Sequence, residues 1–316
     1  MTMNFACSAW RLAKGSMAAG LFAAAALGAG MSSAQAQSDA PLAGTLAKVR
    51  NAGAVTIGYR ESSIPFSYLN DRKEPIGYSI ELCKQLVDAM SEAVHKTLAT
   101  KWAPVTAASR IDAVANGQVD IECGSTTSNL ERQKRVAFSP TMFVSGTKLL
   151  VKKGSPVRDY RDLAGKAVAV TAGTTNEKTM RDLSERFKLN LNIVVSADHA
   201  ESFGLVKAGK ADAFATDDVL LYGLIAEDKA ATKGPSDYQV VGDFLSYDPY
   251  GVMYRKNDQQ MARVVNEAFE TLAQDGEIQR QYKRWFLRKL PSGISLDLAM
   301  SPQLETILQT MAVKSE

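Results

Sequence analysis

The stretch ECGSTTSNLERQKRVAFS (residues 122–139) sets a small, hydroxyl-rich turn ahead of a segment patterned as a helix. Ser128 and Glu131 have capping-box spacing: the Ser side chain meets the Glu backbone N–H, and Glu reaches back. Gly124 allows a tight turn and close backbone approach. Thr127 then lies just before a helix N-terminus, where free N–H groups and the dipole favour an anion. Arg132, in the first turn, can grip a carboxylate with two parallel bonds. Nothing here pairs a nucleophile with a base, and a capped helix with a solvated Arg132 would account for the stretch by itself. The pattern recurs, however, in AVAVTAGTTNEK (167–178): a strand, then Thr171, Gly173, Thr174 and Thr175, then a helix, with Thr174 and Glu177 at the same spacing. In open α/β sheets, ligands sit outside the carboxyl ends of strands. Two such units facing each other would form a cleft. The phosphate-loop pattern G-x-x-x-x-G-K-[ST] is absent.

Outward from these turns, AVTIGYR (54–60) alternates as a strand and YSIELCKQLVDAMSEAV (78–94) has apolar residues at helical spacing. SRIDAVANGQ (109–118) reads as a short helix, VDIECG (119–124) as a strand and SNLERQKRVAF (128–138) as a helix. GTKLLVKKG (146–154) restarts the alternation, which runs strand, helix, strand, helix to residue 227. PYGVMYRKN (249–257) reads as one strand, and residues 259–286 as a long amphipathic helical region. Alternation of this kind implies an α/β fold with mostly parallel pairing, in two lobes of similar build. Residues 291–316 read as a loop and an accessory helix.

The 316 residues are 46% hydrophobic and 22% charged, with formal net charge +3. That is ordinary globular composition, and no basic stripe suggests a nucleic-acid partner. Arg11 and Lys14 precede an apolar run and then Ala34-Gln35-Ala36, the layout of a signal peptide cleaved after Ala36. Its removal takes two basic and no acidic residues, leaving a net charge near +1. Residues 37–49 are expected to be a flexible leader, and the mature protein exported and soluble. Cys83 and Cys123 remain after processing. An exported pair can be bridged; two separate buried thiols is the expectation, with the bridge left open. His95 reads as a surface helix residue. His199 stands at a helix start, where it could face a ligand or solvate the turn. No G-x-S-x-G, H-E-x-x-H or C-x-x-C occurs, and the ligand inventory is too thin for zinc. No catalytic residue, cofactor or metal is expected. Asp217 and Asp218 follow a buried-looking strand, where a carboxylate can meet an ammonium or cap the next helix.

GYRESSIPFSY (58–68), GYSIELCKQL (77–86), GQVDIECGSTTSNLERQKRVAFS (117–139), DLAGKAVAVTAGTTNEKT (162–179), KAGKADAFATDD (207–218) and YGVMYRKND (250–258) follow one another as in a known family. The chain resembles the periplasmic amino-acid-binding proteins of ABC importers (solute-binding protein family 3), most of all the glutamate/aspartate-binding subgroup. The resemblance implies an α/β type II periplasmic binding protein fold. Lobe 1 would take residues 40–143 and 248–290, lobe 2 residues 147–244, with crossings near Met142–Gly146 and Leu245–Pro249. It also implies that Arg132 binds an α-carboxylate, with Ser125, Thr127 and Thr174 around it, and that Asp217 binds the α-ammonium. Arg60 occupies a position where relatives for basic amino acids or glutamine commonly place an acid. With Arg110 and His199 it would form a pocket for an acidic side chain, because buried arginines need an anion between them. Ala107 and Ala108 stand where polar residues are usual in the subgroup, which leaves side-chain length open. The expected partners are an acidic amino acid and the membrane permease of an ABC importer, without nucleic acid, and the protein is expected to be a monomer. The competing readings are an exported dehydratase-like enzyme on the same fold, a binding protein for another polar amino acid, and a sensor domain.

Overall fold

A computed structural model describes residues 41–313. The signal-peptide reading of residues 1–36, and residues 37–40 of the leader reading, lie outside the described residues. What can be followed of the leader differs from expectation. Helix α1 (Gly44–Ala52) buries Thr45, Leu46 and Val49, so residues 44–49 belong to the folded body. Their apolar side chains join the large core, and Asp258 accepts the Thr45 N–H at 2.7 Å.

From α1 the chain enters β1 (Ala54–Tyr59) and a small sheet of β2 (Ser62–Ser63), β3 (Ser67–Leu69) and β4 (Pro75–Ile76). Helix α2 (Tyr78–Ala93), β5 (Ala99–Pro104), α3 (Arg110–Ala115) and β6 (Ile121–Glu122) follow. The helix expected over 128–138 is absent. A single 3-10 turn (Arg132–Lys134) leads directly into β7 (Val136–Phe138). The distant strand β15 (Met253–Arg255) pairs antiparallel with β7, which draws this segment into the sheet. The strand expected over 249–257 is correspondingly two, β14 (Asp248–Tyr250) and β15, with Gly251 and Val252 between them.

Strand β8 (Phe143–Ser145) leads into the second lobe, built of β9 (Thr147–Lys152), β10 (Ala167–Thr171), α4 (Thr175–Phe187), β11 (Asn192–Ser196), α5 (His199–Lys207), β12 (Ala213–Asp217), α6 (Asp218–Thr232) and β13 (Tyr238–Val241). The return through β14 lies antiparallel to β8, so the two crossing segments form a two-stranded ribbon. Helices α7 (Gln259–Gln274), α8 (Glu277–Tyr282) and α9 (Pro302–Ala312) complete the first lobe, with a π turn at Lys283–Leu287.

The first sheet has order β5-β1-β6-β15-β7 and the second β11-β10-β12-β9-β13. In each sheet one strand, β15 in the first and β9 in the second, runs against the other four, giving two parallel and two antiparallel pairings, so parallel pairing does not dominate as expected. Both reversed strands follow directly from a crossing, which enters each sheet at the end where the parallel strands finish. One core holds α1, α2 and α7–α9 together around Phe66, Tyr78, Phe143, Tyr250 and Phe286. Phe143 lies 4.9 Å from both Phe66 and Phe286 between ring centroids, in edge and stacked geometries that favour aromatic packing. Two smaller clusters cover the opposite faces of the second sheet.

Cys83 on α2 and Cys123 after β6 form a disulfide with Cα atoms 6.3 Å apart. This corrects the expectation of separate thiols: α2 packs so that the two Cβ positions come within bridging reach. His95 is exposed, as expected, but lies just past α2 with φ 51°, not within the helix.

The lobes also touch away from the ribbon. Gly223 of α6 lies against the Ile64 carbonyl so closely that a Cβ there would collide with the oxygen and stand 2.9 Å from the carbonyl carbon. Val219, Leu220 and Ala226 of the same helix pack into the first lobe's core.

Candidate functional site

Most of the residues singled out in the sequence stand where a strand ends or the next helix begins. Arg60 follows β1, Ser125 and Thr127 follow β6, Thr171 ends β10, and Asp217 ends β12. Thr174 caps α4, accepting the Glu177 N–H at 3.1 Å, while the Glu177 carboxylate reaches back to the Gly173 N–H at 3.0 Å. Arg110 and His199 open α3 and α5. Arg110, Ser125, Thr127, Thr174, His199 and Asp217 border one narrow cavity, with Thr175, Asn176 and Leu220. The space between them holds little more than a water molecule, so the walls stand close together in this structure. Arg60, Arg132 and Thr171 are not on its wall. Arg132 and Thr171 bond to wall residues, and Arg60 acts on Arg110 and His199 through its charge.

At one end, three arginines are almost wholly buried. Arg132 Nη1 donates to the Thr127 carbonyl at 2.8 Å, and Nη2 to the Gly173 carbonyl in the opposite lobe at 3.2 Å. The capping box expected at Ser128 and Glu131 is absent: the Asn129 side chain accepts the Arg132 N–H, and Ser128 Oγ accepts from Gln133. Arg110 Nη1 donates to the Ser125 carbonyl at 3.2 Å, and its Nε has no partner among the described residues. Arg60 is 1% exposed, and both its terminal nitrogens lack a hydrogen-bond partner among the described residues. Burial, then Arg110, pulls its pKa down to about 9. Burial and Arg110 likewise lower Arg132 to about 10. All three remain cationic at neutral pH. Burying cationic donors without partners is strongly unfavourable unless an anion completes them.

His199 is buried and held well below its ordinary pKa by burial, then by Arg60 and Arg110. It is therefore neutral. Its Nδ1 meets Thr171 Oγ1 at 2.9 Å, and that hydroxyl meets Ser202 Oγ at 2.8 Å. Thr171 thus braces the imidazole.

At the other end, Asp217 precedes α6 but does not cap it. Its carboxylate accepts from Asn176 Nδ2 at 2.8 Å and from the Tyr250 hydroxyl. Burial, then the neighbouring Asp248, raises its pKa to about 7. Asp218 takes no part in this group and accepts from Ser145 at 2.7 Å.

Sequence reasoning missed four members of this constellation. Asp248, on the ribbon, accepts the Thr127 hydroxyl of the first lobe at 3.0 Å and the Thr175 hydroxyl of the second at 2.9 Å. Asn176, Tyr250 and the buried Glu122 are the others. Asn176 and Tyr250 had a weak signal, because both lie within the quoted motifs. Asp248 had none. Among the described residues no group of three or more His, Cys, Asp or Glu side chains is placed to hold a metal ion, and no helix is long and apolar enough to cross a membrane.

A zwitterion with an extra anionic group would complement this arrangement of cations, hydroxyls and one carboxylate. Comparison with known proteins agrees with that. Residues 55–288 match the model of the bacterial extracellular solute-binding proteins, family 3. The glutamate/aspartate import solute-binding protein of Salmonella typhimurium is 39% identical over 279 residues, covering 87% of this chain and 91% of its own. The L-glutamate/L-aspartate-binding protein of Pseudomonas aeruginosa is 41% identical over 277 residues, covering 87% and 90%. Among solved structures, the ancestral amino acid-binding protein AncCDT-1, a precursor of cyclohexadienyl dehydratase, matches with a TM-score of 0.65 at 28% identity, covering 77% of this chain and 99% of that one. A mutant of ArgBP from T. maritima matches with a TM-score of 0.67 at 23% identity, covering 76% and 98%, a likeness of fold alone. Two α/β lobes joined by a double crossing, with the cleft between them, are the type II periplasmic binding protein fold. The chain belongs to family 3 of the bacterial extracellular solute-binding proteins.

Proposed function

We propose that the protein captures an acidic L-amino acid, glutamate or aspartate, in the periplasm and delivers it to the permease of an ABC importer. The observation that carries this reading is the buried Arg60, whose terminal nitrogens have no partner among the described residues, beside Arg110 and a neutral His199. An amide or a cation would leave that charge unmatched, while a side-chain carboxylate matches it. In this reading Arg132, with Ser125, Thr127 and Thr174, holds the α-carboxylate, and Asp217 holds the α-ammonium. Thr171 keeps the His199 ring oriented. The protein works as a monomer, is exported by a signal peptide cleaved after Ala36, and performs no chemistry on its ligand. The names of the Salmonella and Pseudomonas relatives support the ligand class.

Calorimetry with Arg60→Ala against glutamate, aspartate, glutamine and lysine tests it. Wild type should prefer the two acids. The variant should lose affinity for them far more than for glutamine. Equal losses for glutamate and glutamine would make Arg60 structural and sink the assignment of the anion pocket. A turnover assay on the same ligands distinguishes a receptor from an enzyme of this fold.

A further inference from the structure

Close to the arginines lies a carboxylate that has no role in the reading above. Glu122, the last residue of β6, is 0% exposed. Its Oε2 accepts from Thr126 Oγ1 at 2.7 Å, while Oε1 is buried without a partner among the described residues. Gly124 explains how it fits. A Cβ at that position would collide with Glu122 Oε1 and stand 2.9 Å from Arg60 Cγ. The carboxylate and the Arg60 stem therefore share the space over one bare α-carbon.

The field of this group reaches the whole cationic end. Glu122 raises the pKa of Arg60, Arg110 and Arg132, in opposition to burial. Asp198 also acts on Arg60, but from the start of α5, where it caps the Glu201 N–H and is partly exposed. His199 is neutral, and burial holds the Tyr250 phenol in its protonated form. Arg132 donates to the Thr127 and Gly173 carbonyls and is assigned to the α-carboxylate, and Asp217 acts on Arg110 from the ammonium end; the buried charges left for the ligand side chain are Arg60 and Arg110 against Glu122, two positive and one negative, leaving one positive charge.

We propose that Glu122 is a specificity-determining residue that sets this balance, so that the cleft matches a side chain carrying one negative charge. It acts through Arg60 and Arg110 and is a positioning residue for them. The proposal rests on the acidic-amino-acid reading and deepens it. With Glu122 neutral, the same end would carry two uncompensated positive charges. A neutral side chain would then be rejected more strongly, and a doubly charged one accepted better.

The test is Glu122→Gln, which keeps an acceptor for Thr126. Glutamate, glutamine and 2-amino-4-phosphonobutyrate are titrated calorimetrically at pH 8 into wild type and variant. A unit charge several ångströms away at an effective dielectric near 20 changes the preference for an anion by on the order of tenfold to a hundredfold. The glutamate-to-glutamine affinity ratio should rise by about that factor, and the phosphonate should gain on glutamate. If E122Q does not fold, Glu122→Asp draws the charge back by one methylene and should raise the glutamate-to-glutamine ratio by a smaller factor. A ratio unchanged from wild type in the folded variant overturns the proposal. Failure of wild type to prefer glutamate over glutamine would instead overturn the reading on which it rests.

Discussion

Binding should depend steeply on pH, because of Asp217. In the proposed reading Asp217 meets the ligand's ammonium and must be ionised, yet burial and Asp248 raise its pKa to about 7. Below that pH the competent fraction falls about tenfold per unit, and apparent affinity falls with it. At pH 5 the dissociation constant should be about a hundredfold above its pH 8 value, roughly 2.7 kcal/mol. The ligand contributes little over this range: carboxyls titrate near pH 4 and below, and its ammonium stays charged. Burial, Arg60 and Arg110 hold His199 well below its usual pKa, so its imidazole is uncharged over the upper part of this range. Stability of the free protein should move the other way. Folding raises the Asp217 pKa from 3.8 to about 7, so its contribution is fully present below pH 4 and lost as pH rises through 7. Calorimetry in two buffers of different ionisation enthalpy gives the proton count. Close to one proton should leave per glutamate bound at pH 6, and Asp217→Asn should flatten the profile while weakening binding at pH 8. An affinity constant between pH 5 and 8, with no proton released, would refute the assignment of Asp217 to the ammonium.

Other outcomes follow from the same geometry. Gly223→Ala sets a methyl against the Ile64 carbonyl; overpacking costs about 1–3 kcal/mol, so binding should weaken about 5- to 150-fold with each lobe intact, and scattering with ligand should show a less compact particle than wild type. In the proposed reading Arg132 holds the carboxylate common to all amino acids, which Arg132→Ala would leave without that partner. The substitution should cost on the order of 2–5 kcal/mol, equally for glutamate and glutamine, and unequal losses by calorimetry would reassign Arg132 to the side-chain end. Replacing Cys83 and Cys123 by Ala opens a loop with a sequence separation of 40 and should lower unfolding free energy by about 4 kcal/mol, read from urea midpoints. A midpoint shared by oxidised wild type and variant would show that the bridge contributes nothing.

Much of the fold was legible because the chain repeats one local pattern. Strands of β-branched residues end in small, hydroxylated turns, and helices begin there, so strand ends and helix starts fell close to β10, α4, α5 and β12. The segment 128–138 misled because a capping-box spacing does not specify a helix when a sheet partner competes. Val136–Phe138 finds that partner in β15, more than a hundred residues later. The disulfide was undecidable for a related reason: a spacing of 40 residues says nothing about Cα separation. Within the site, charged residues facing an unmatched pocket were conspicuous by type alone. Asp248, Asn176 and Glu122 escaped because their importance lies in what they touch. Asp248 in particular matters only because the ribbon carries it between the hydroxyls of Thr127 and Thr175.

The double crossing also fixes an order of completion. All five strands of the second sheet lie between Thr147 and Val241, so every pairing in it is available once that stretch exists. The first sheet cannot be finished then. Strand β15 lies between β6 and β7 and is their only link in that sheet's order, and it comes after the entire second lobe. Until residues 253–255 arrive, β6 has an open edge and β7 no place in the sheet. Unpaired edges are where partly folded chains associate wrongly. During emergence of the polypeptide the lobe that begins first is thus the one that closes last, and its half-built sheet is the stage at which the molecule is most exposed to misassembly.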